Sequence, residues 1–434
     1  MKHYGLFGEH LSHSKSPEIQ QFIYNLIGFD ADYSIYEFEK NNIQKYIDMI
    51  RDNKINGANV TIPYKKDILP YIDILDEKAK DIGAINTIFA KDNILYGYNT
   101  DYYGISKTLE SYLPIENKDY LILGYGGASQ PLIHFLADNR AKNIYIASRD
   151  PKRYNDFKIN AANVHFIDYK NIKNLCGEII FNTTPLGMFP NVDSCPVDED
   201  LLKNFKVAID FIYNPVTTKF LSSAKNLGLK TQNGLKMLVY QAIESIQIWS
   251  GKKINESIQR DIYMHFRSQL YTEEKIYLVG LPASGKTTFA KVLADYLGYN
   301  FLDLDQYIEN SINMSVSDIF EKYGEDRFRQ IESQALKDTC NMKNTVIATG
   351  GGIVEKEENR KFLKGFDNVF YLKRDIKDIL DTVNLDERPI LRNSPEKLYT
   401  LYKKRHSFYE DVSNHILNNN STLNKLLLDA IFCF

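Results

Sequence analysis

The stretch Gly280-Leu281-Pro282-Ala283-Ser284-Gly285-Lys286-Thr287 directly follows the apolar run Ile276 to Val279. Its spacing, G-x-x-x-x-G-K-T, is the complete P-loop pattern. In such a loop backbone amides wrap phosphates, the lysine (Lys286) reaches the β- and γ-phosphates, and the threonine (Thr287) offers its hydroxyl to Mg2+. Downstream, Phe289, Val292, Leu293, Tyr296 and Leu297 recur at i, i+3, i+4, i+7 and i+8, which predicts a helix with one buried face. Gly280, Ala283, Ser284, Gly285, Lys286, Thr287 and Thr288 are thus the predicted ATP cradle. The motif specifies a nucleoside triphosphate and leaves the acceptor open.

A second glycine turn, Gly124-Tyr125-Gly126-Gly127-Ala128-Ser129, follows the apolar run Tyr120 to Leu123 and contains no lysine. Glycines there allow a tight turn and bring backbone N–H groups close to a pyrophosphate at the N-terminus of the next helix, as in dinucleotide sites. The next strand ends at Ser148-Arg149, where an NAD site would carry an acidic residue for the ribose 2′-hydroxyl. Arg149, with Lys152 and Arg153 nearby, suits a 2′-phosphate, so NADP is the expected cofactor; Asp150 opposes that phosphate. Two nucleotide sites of different kinds predict two reactions.

At 434 residues the chain is too long for one compact core, and two or three domains are expected. Hydrophobic and charged fractions of 44% and 25% are those of an ordinary globular protein, and a net charge of −3 gives no reason to expect nucleic acid or an anionic membrane as partner. Cys176, Cys195, Cys340 and Cys433 are scattered and form no C-x-x-C pair, which argues against a disulfide framework and suits a reducing cytosol. The start, Met1-Lys2-His3-Tyr4-Gly5, runs into a strand-like segment without a long apolar stretch, and no run approaches the roughly 20 apolar residues of a membrane span. A cytoplasmic location is expected, and oligomeric state is not legible.

In the first hundred residues strands are predicted at Tyr4–Phe7, Tyr33–Phe38, Gly57–Ile62, Ala84–Phe89 and Ile94–Tyr98, with helices such as Pro17–Leu26 and Ile43–Arg51 between them. Strands at Tyr120–Leu123, Ile144–Ser148, Ile179–Asn182 and Val207–Phe211 then alternate with helical lengths, which predicts a parallel sheet with crossover helices. Helices are expected at Leu235–Trp249 and Ile254–Leu270, followed by a polar joint near Thr272-Glu273-Glu274-Lys275.

The first half resembles the shikimate dehydrogenase family over about residues 3–265, with matching segments in family order. Ser14-Lys15-Ser16-Pro17 is similar to the family's S-x-S-P turn, and Asn59-Val60-Thr61-Ile62-Pro63-Tyr64-Lys65 to its N-V-T-x-P-x-K strand end. Asn86-Thr87, Gly97-Tyr98-Asn99-Thr100-Asp101, the loop Asn182 to Met188, Asp210 to Pro215, and Gln241 complete the series. The resemblance implies that Ser14 and Ser16 hold the substrate carboxylate. It also implies that Asn59, Asn86 and Asp101 bond ring hydroxyls, and that Thr61, Tyr213 and Gln241 line the same site. Thr183, Met188 and Gly234 are implied on the cofactor side, beside Gly124, Gly126, Gly127, Ala128, Ser148, Arg149 and Arg153. Reduction of a ketone by hydride needs a proton for the oxygen, and Lys65 can supply it or stabilise the developing charge, with Asp101 orienting the ammonium. One departure is Gln130-Pro131, where the family often has an arginine. His13, between the two serines, reads as an ordinary turn residue.

The second half resembles shikimate kinase over about residues 274–425. Asp303-Leu304-Asp305 ends the second predicted strand, Arg329 and Glu332 are i, i+3 neighbours on a helix, and Gly350-Gly351-Gly352 follows the strand Val346–Thr349. Arg388-Pro389-Ile390-Leu391 lies in a polar stretch fit for a lid, and Arg405-x-x-x-Tyr409 is read as opening a helix. The resemblance implies Asp305 as base at the reacting hydroxyl and Asp303 as support for Mg2+ through water. Arg329 and Arg405 would clamp the substrate carboxylate, a bidentate task suited to guanidinium. Gly350, Gly351 and Gly352 would present amides to the substrate, and Arg388 would close on the phosphates.

The expected fold class is α/β: a substrate domain (1–103 with 231–268), a Rossmann-like NADP domain (104–230), a linker (269–274) and a P-loop parallel-sheet domain of nucleoside-monophosphate-kinase type (275–434). The resemblance implies reduction of 3-dehydroshikimate to shikimate with NADPH, then phosphorylation of shikimate with MgATP. Two alternatives stay open from sequence: an NAD-using quinate/shikimate dehydrogenase in the first half, or one half as a non-catalytic binding or regulatory module.

Overall fold

In the computed structural model the described residues are all except 12–13, 155–156, 158, 160–162 and 383–396. His13 and Arg388 therefore lie outside the described residues. The chain divides into two compact units, Met1–Arg267 and Ser268–Phe434.

The first unit contains two sheets. One is built from β1 (Lys2–Gly8), β2 (Ala31–Glu37), β3 (Gly57–Val60), β4 (Ile74–Leu75), β5 (Thr87–Lys91) and β6 (Ile94–Tyr98) in the order β2-β1-β3-β5-β6-β4. β3 pairs antiparallel with β5, and β5 with β6, whereas β1 is parallel to both neighbours. Its core gathers Phe7, Ile47, Ala58, Val60, Ile85, Ile88 and Leu95, all buried. The second sheet holds β7 (Asp119–Leu123), β8 (Asn143–Ser148), β9 (Asn163–Asp168), β10 (Ile179–Asn182), β11 (Val207–Asp210) and β12 (Lys230–Gln232). Its order is β12-β11-β10-β7-β8-β9 and every pairing is parallel. Strands buried on both faces read as continuous apolar runs, as Leu121-Ile122-Leu123 and Ile179-Ile180-Phe181 do. The chain leaves β7 toward β8 and later returns to its other side through β10. A ligand crevice is expected at that switch point, beyond the strand C-termini.

The second unit has one parallel sheet of β13 (Lys275–Val279), β14 (Asn300–Asp303), β15 (Thr345–Ala348), β16 (Val369–Lys373) and β17 (His415–Asn418), in the order β14-β15-β13-β16-β17. The P-loop follows central β13, and the glycine triplet follows adjacent β15.

Several local expectations shift. The strand predicted at Ala84–Phe89 runs from Thr87 to Lys91, because Ala84 and Ile85 are buried as part of the preceding loop. β4, β9, β12, β16 and β17 were not predicted. Arg405 lies inside the helix Lys397–Val412 and does not open it. No helix among the described residues is long and apolar enough to cross a membrane, and all four cysteines are free.

Candidate active sites

In the first unit Lys65 follows the end of β3, and Asp101 opens the helix Asp101–Leu109. Lys65 Nζ donates to Asp101 Oδ2 at 2.5 Å, and Asn86 Nδ2 donates to Asp101 Oδ1 at 2.9 Å, so both carboxylate oxygens are held. The pair is largely shielded, with Lys65 14% and Asp101 7% exposed. They line a cleft of about 180 Å³ together with Ser16, Asn59, Thr61, Asn86, Tyr213 and Gln241. Ala128 and Gly234, expected on the cofactor side, line the same cleft. A Cβ added to Gly127 would meet Lys65 Cδ at 3.4 Å, so the glycine turn rests directly against this lysine.

Not every expected residue reaches the cleft freely. Ser14 is absent from its lining, and its Oγ accepts from Ser16 N at 3.2 Å. Asn59 spends its amide internally: Nδ2 donates to Thr87 and Ser245 hydroxyls, and Oδ1 accepts from Tyr33 and Gln20. It fixes the wall of the site and has little hydrogen-bonding capacity left for a ring hydroxyl. Gln241 Nε2 donates to Leu238 O at 2.8 Å. Tyr213 is pushed up in pKa by burial, while its hydroxyl meets the Lys15 backbone.

The glycine turn sits at the switch point. Gly124 has φ +91°, a conformation that favours glycine, and a Cβ there would strike Thr184 Cγ2 at 2.7 Å. Thr183 Oγ1, at the end of β10, donates to Leu123 O at 2.9 Å, closing the crevice floor. Gly126 N–H donates to Ser129 Oγ at 2.8 Å, so this amide is engaged within the turn. Ser148 is buried and Arg149 and Arg153 are exposed; among the described residues neither arginine has an ion-pair partner. Burial pushes the Tyr169 phenol up in pKa, against the charge of Arg149 and a bond to the Gly124 backbone. Gln130 is buried in its helix and does not replace a surface arginine. Met188 is exposed on the loop after β10. Gly234 permits a close approach: its Cβ would lie 2.1 Å from Phe211 O.

In the second unit Gly280 and Gly285 have φ +150° and +95°, and Ala283 has φ +60°. The buried Lys286 ammonium donates to Gly280 O at 3.0 Å and Leu281 O at 2.7 Å. Ser284 Oγ is buried without a hydrogen-bond partner among the described residues. Phosphate oxygens in the loop would give both groups acceptors. Thr287 Oγ1 donates to Asp303 Oδ2 at 2.7 Å, while Asp303 Oδ1 accepts from the Asp305 and Gln306 amides and caps the helix Leu304–Ile312. Thr288 is exposed on the helix that follows the loop.

The glycine triplet packs on the charged residues. A Cβ at Gly350 would sit 2.7 Å from Glu332 Oε1 and 2.8 Å from Asp305 Oδ1; at Gly351 it would meet Pro282 of the P-loop at 2.7 Å. Arg329 Nη1 donates to Glu332 Oε2 at 2.8 Å. Burial pushes the Glu332 carboxyl up to about 6, with Arg329 pulling it back only in part. Arg405 bonds Glu355, a residue the sequence did not single out: an acid three residues past a glycine triplet has no periodic or motif signal. Asn419, likewise unforeseen, donates to Ser284 O at 2.7 Å and braces the P-loop.

A family model described as the shikimate dehydrogenase substrate binding domain matches residues 6–88, and one described as shikimate kinase matches residues 282–432. A shikimate dehydrogenase (NADP(+)) of Clostridium beijerinckii is 43% identical over 270 residues, 62% of this chain and 99% of the relative. The crystal structure of shikimate dehydrogenase 1 from Peptoclostridium difficile aligns with TM-score 0.57 and 40% identity, covering 62% of this chain and 99% of that one. A chorismate mutase/shikimate 5-dehydrogenase fusion protein from Clostridium acetobutylicum aligns with TM-score 0.58 and 37% identity, covering 62% and 98%. Fold and sites together define a nucleotide-dependent oxidoreductase followed by a P-loop phosphotransferase. The chain belongs to the shikimate dehydrogenase family and carries, fused after that part, a shikimate kinase domain.

Proposed function

We propose that the chain carries out two consecutive reactions: NADPH-dependent reduction of 3-dehydroshikimate to shikimate, then ATP- and Mg2+-dependent phosphorylation of the shikimate 3-hydroxyl. Residues 1–103 with 231–268 would hold the acid, 104–230 the dinucleotide, and 275–434 the second nucleotide. The observation that carries the reading is the Lys65–Asp101 pair at 2.5 Å, seated against the glycine turn in a cleft of substrate size.

When bound, NADPH supplies the hydride. Lys65 donates a hydrogen bond or its proton to the carbonyl oxygen as that oxygen gains charge, and Asp101 keeps the ammonium aimed. Ser16, Thr61 and Tyr213 stand where they can hold the carboxylate end. The exposed charge of Arg149, directly after the end of β8, supports recognition of a 2′-phosphate. In the kinase domain Asp305 accepts the hydroxyl proton, Lys286 leaves the loop carbonyls for phosphate oxygens, and Arg329 and Arg405 grip the acid. Thr287 Oγ1 and Asp303 Oδ2, 2.7 Å apart beside the phosphate loop, would hold a Mg2+ that arrives with the phosphates. Arg388 keeps its proposed lid role from sequence. Four free cysteines suit a cytosolic location.

The test supplies 3-dehydroshikimate, NADPH and MgATP to the purified chain and follows NADPH consumption and phosphorylated product. Shikimate 3-phosphate is expected only when both nucleotides are present. Failure of either half-reaction with its own substrate, or equal rates with NADH, would refute the corresponding part.

A further inference from the structure

The acid clamp of the kinase domain contains a carboxylate with no part in the reading above, and the geometry points to Glu355 as the residue that positions Arg405 for the carboxylate of the substrate. The inference rests on the proposal that this domain phosphorylates shikimate.

Glu355 Oε1 accepts from Arg405 Nε at 2.7 Å and from Nη2 at 2.5 Å, so it holds one whole edge of the planar guanidinium. Arg405 Nη1 donates to Gly351 O at 3.1 Å, and the Tyr409 hydroxyl donates to the same oxygen at 2.5 Å. The guanidinium is thus pinned by a side chain on one edge and by the glycine triplet through Nη1. Gly351 itself is seated on Pro282, so the orientation of Arg405 is referenced to the ATP cradle. Glu355 is in turn steadied by Lys404 Nζ at 3.2 Å from Oε2. Burial works against its ionisation, and Arg405 and Lys404 outweigh burial and keep the carboxyl ionised below its ordinary range.

Two roles are conceivable for a carboxylate placed there: a competitor that the substrate must displace, or a brace that fixes the arginine. Arg405 is 7% exposed and Glu355 16%. Separating a shielded pair leaves an uncompensated charge, at a cost of roughly 3–5 kcal/mol. A small acid gains no more than that from the guanidinium it would capture, so displacement is unfavourable. Each terminal nitrogen of Arg405 has two hydrogens and commits one of them to Glu355 or Gly351, which leaves donors for an incoming acid without breaking the pair. A long, flexible side chain held this way loses little further entropy on binding. Glu355 is therefore a positioning residue acting through Arg405.

The experiment titrates shikimate at saturating MgATP on the full chain, measuring ADP release and melting temperature. Glu355→Gln is expected to raise KM for shikimate about tenfold, equivalent to about 1.4 kcal/mol, with kcat and KM for ATP within about twofold. Glu355→Asp should recover part of that loss. Arg405→Ala should raise KM further, and adding Glu355→Gln to it should change KM by less than about twofold. An unchanged or lowered KM in Glu355→Gln overturns the inference, as does a full tenfold effect in the Arg405→Ala background. A parallel rise in both KM values with a lower melting temperature also overturns it, in favour of a purely structural role. An unmodified chain without shikimate-dependent ADP release refutes the proposed function itself, and this inference with it.

Discussion

Gly352→Ala places a single methyl group against the acid clamp and has consequences that can be worked through. A Cβ at that position would lie 2.1 Å from Arg329 Nη1, and ordinary contact begins at 3.4 Å, so the guanidinium must retreat by about 1.3 Å. The 2.8 Å bond from Arg329 to Glu332 does not survive such a move. Displaced this far, Arg329 also loses its proposed hydrogen bond to the substrate carboxylate; a bond between charged groups contributes about 1.5–3 kcal/mol, so kcat/KM for shikimate should fall by roughly 10- to 150-fold. The ATP cradle and the reduction by the first unit should be unaffected. A second consequence follows from Glu332, which is 1% exposed and already pushed up to about 6 by burial. With the arginine displaced, its carboxyl must rise further. An acid whose folded pKa is raised favours folding when protonated and loses that stability as pH climbs through the folded value. The pH-dependent part of the mutant's deficit should be small near pH 5 and grow as pH rises past 6. Steady-state kinetics and kinase-domain melting across pH 5–8 measure both effects. An unchanged kcat/KM for shikimate, or a deficit that shrinks with rising pH, would rule out this role for Arg329 and Glu332.

Arg149→Ala should raise KM for NADPH by about tenfold, the low end for a charged contact at an exposed site, and leave KM for NADH unchanged; equal changes for both cofactors would remove the 2′-phosphate role. Gly234→Ala sets a methyl 2.1 Å from the Phe211 carbonyl, where two backbones meet and neither yields. It should destabilise the unit Met1–Arg267 by about 3 kcal/mol, abolishing reduction while phosphorylation of added shikimate persists. Asp101→Asn removes the charge that aims Lys65 and should lower kcat for reduction by about 10²–10⁴, with KM for the substrate little changed.

The parts legible in sequence were those with a local cause. Apolar runs ending in glycine turns located β7 and β13, and the i, i+3 spacing of Arg329 and Glu332 anticipated their bond. Edge strands were missed because β4 and β12 are two and three residues long and β9 and β17 are half-exposed and polar. Ala84 and Ile85 misled because an apolar pair signals burial, not extended pairing. Partners in space left no trace in the chain: nothing at Asn59 foretells Ser245 or Tyr33, and nothing at Glu355 foretells Arg405. Lys65 and Asp101 are likewise apart in sequence, by 36 residues, and only the likeness to known segments linked them.

One chain would hold two independent sites, with Lys65 serving reduction and Lys286 serving phosphoryl transfer. The most direct measurement compares Lys65→Ala and Lys286→Ala, each in the folded full-length chain, for NADPH oxidation with 3-dehydroshikimate and for ADP release with shikimate. Lys65→Ala should lose the first activity and keep the second, and Lys286→Ala should do the converse. Loss of both activities in either folded variant would rule out two independent sites.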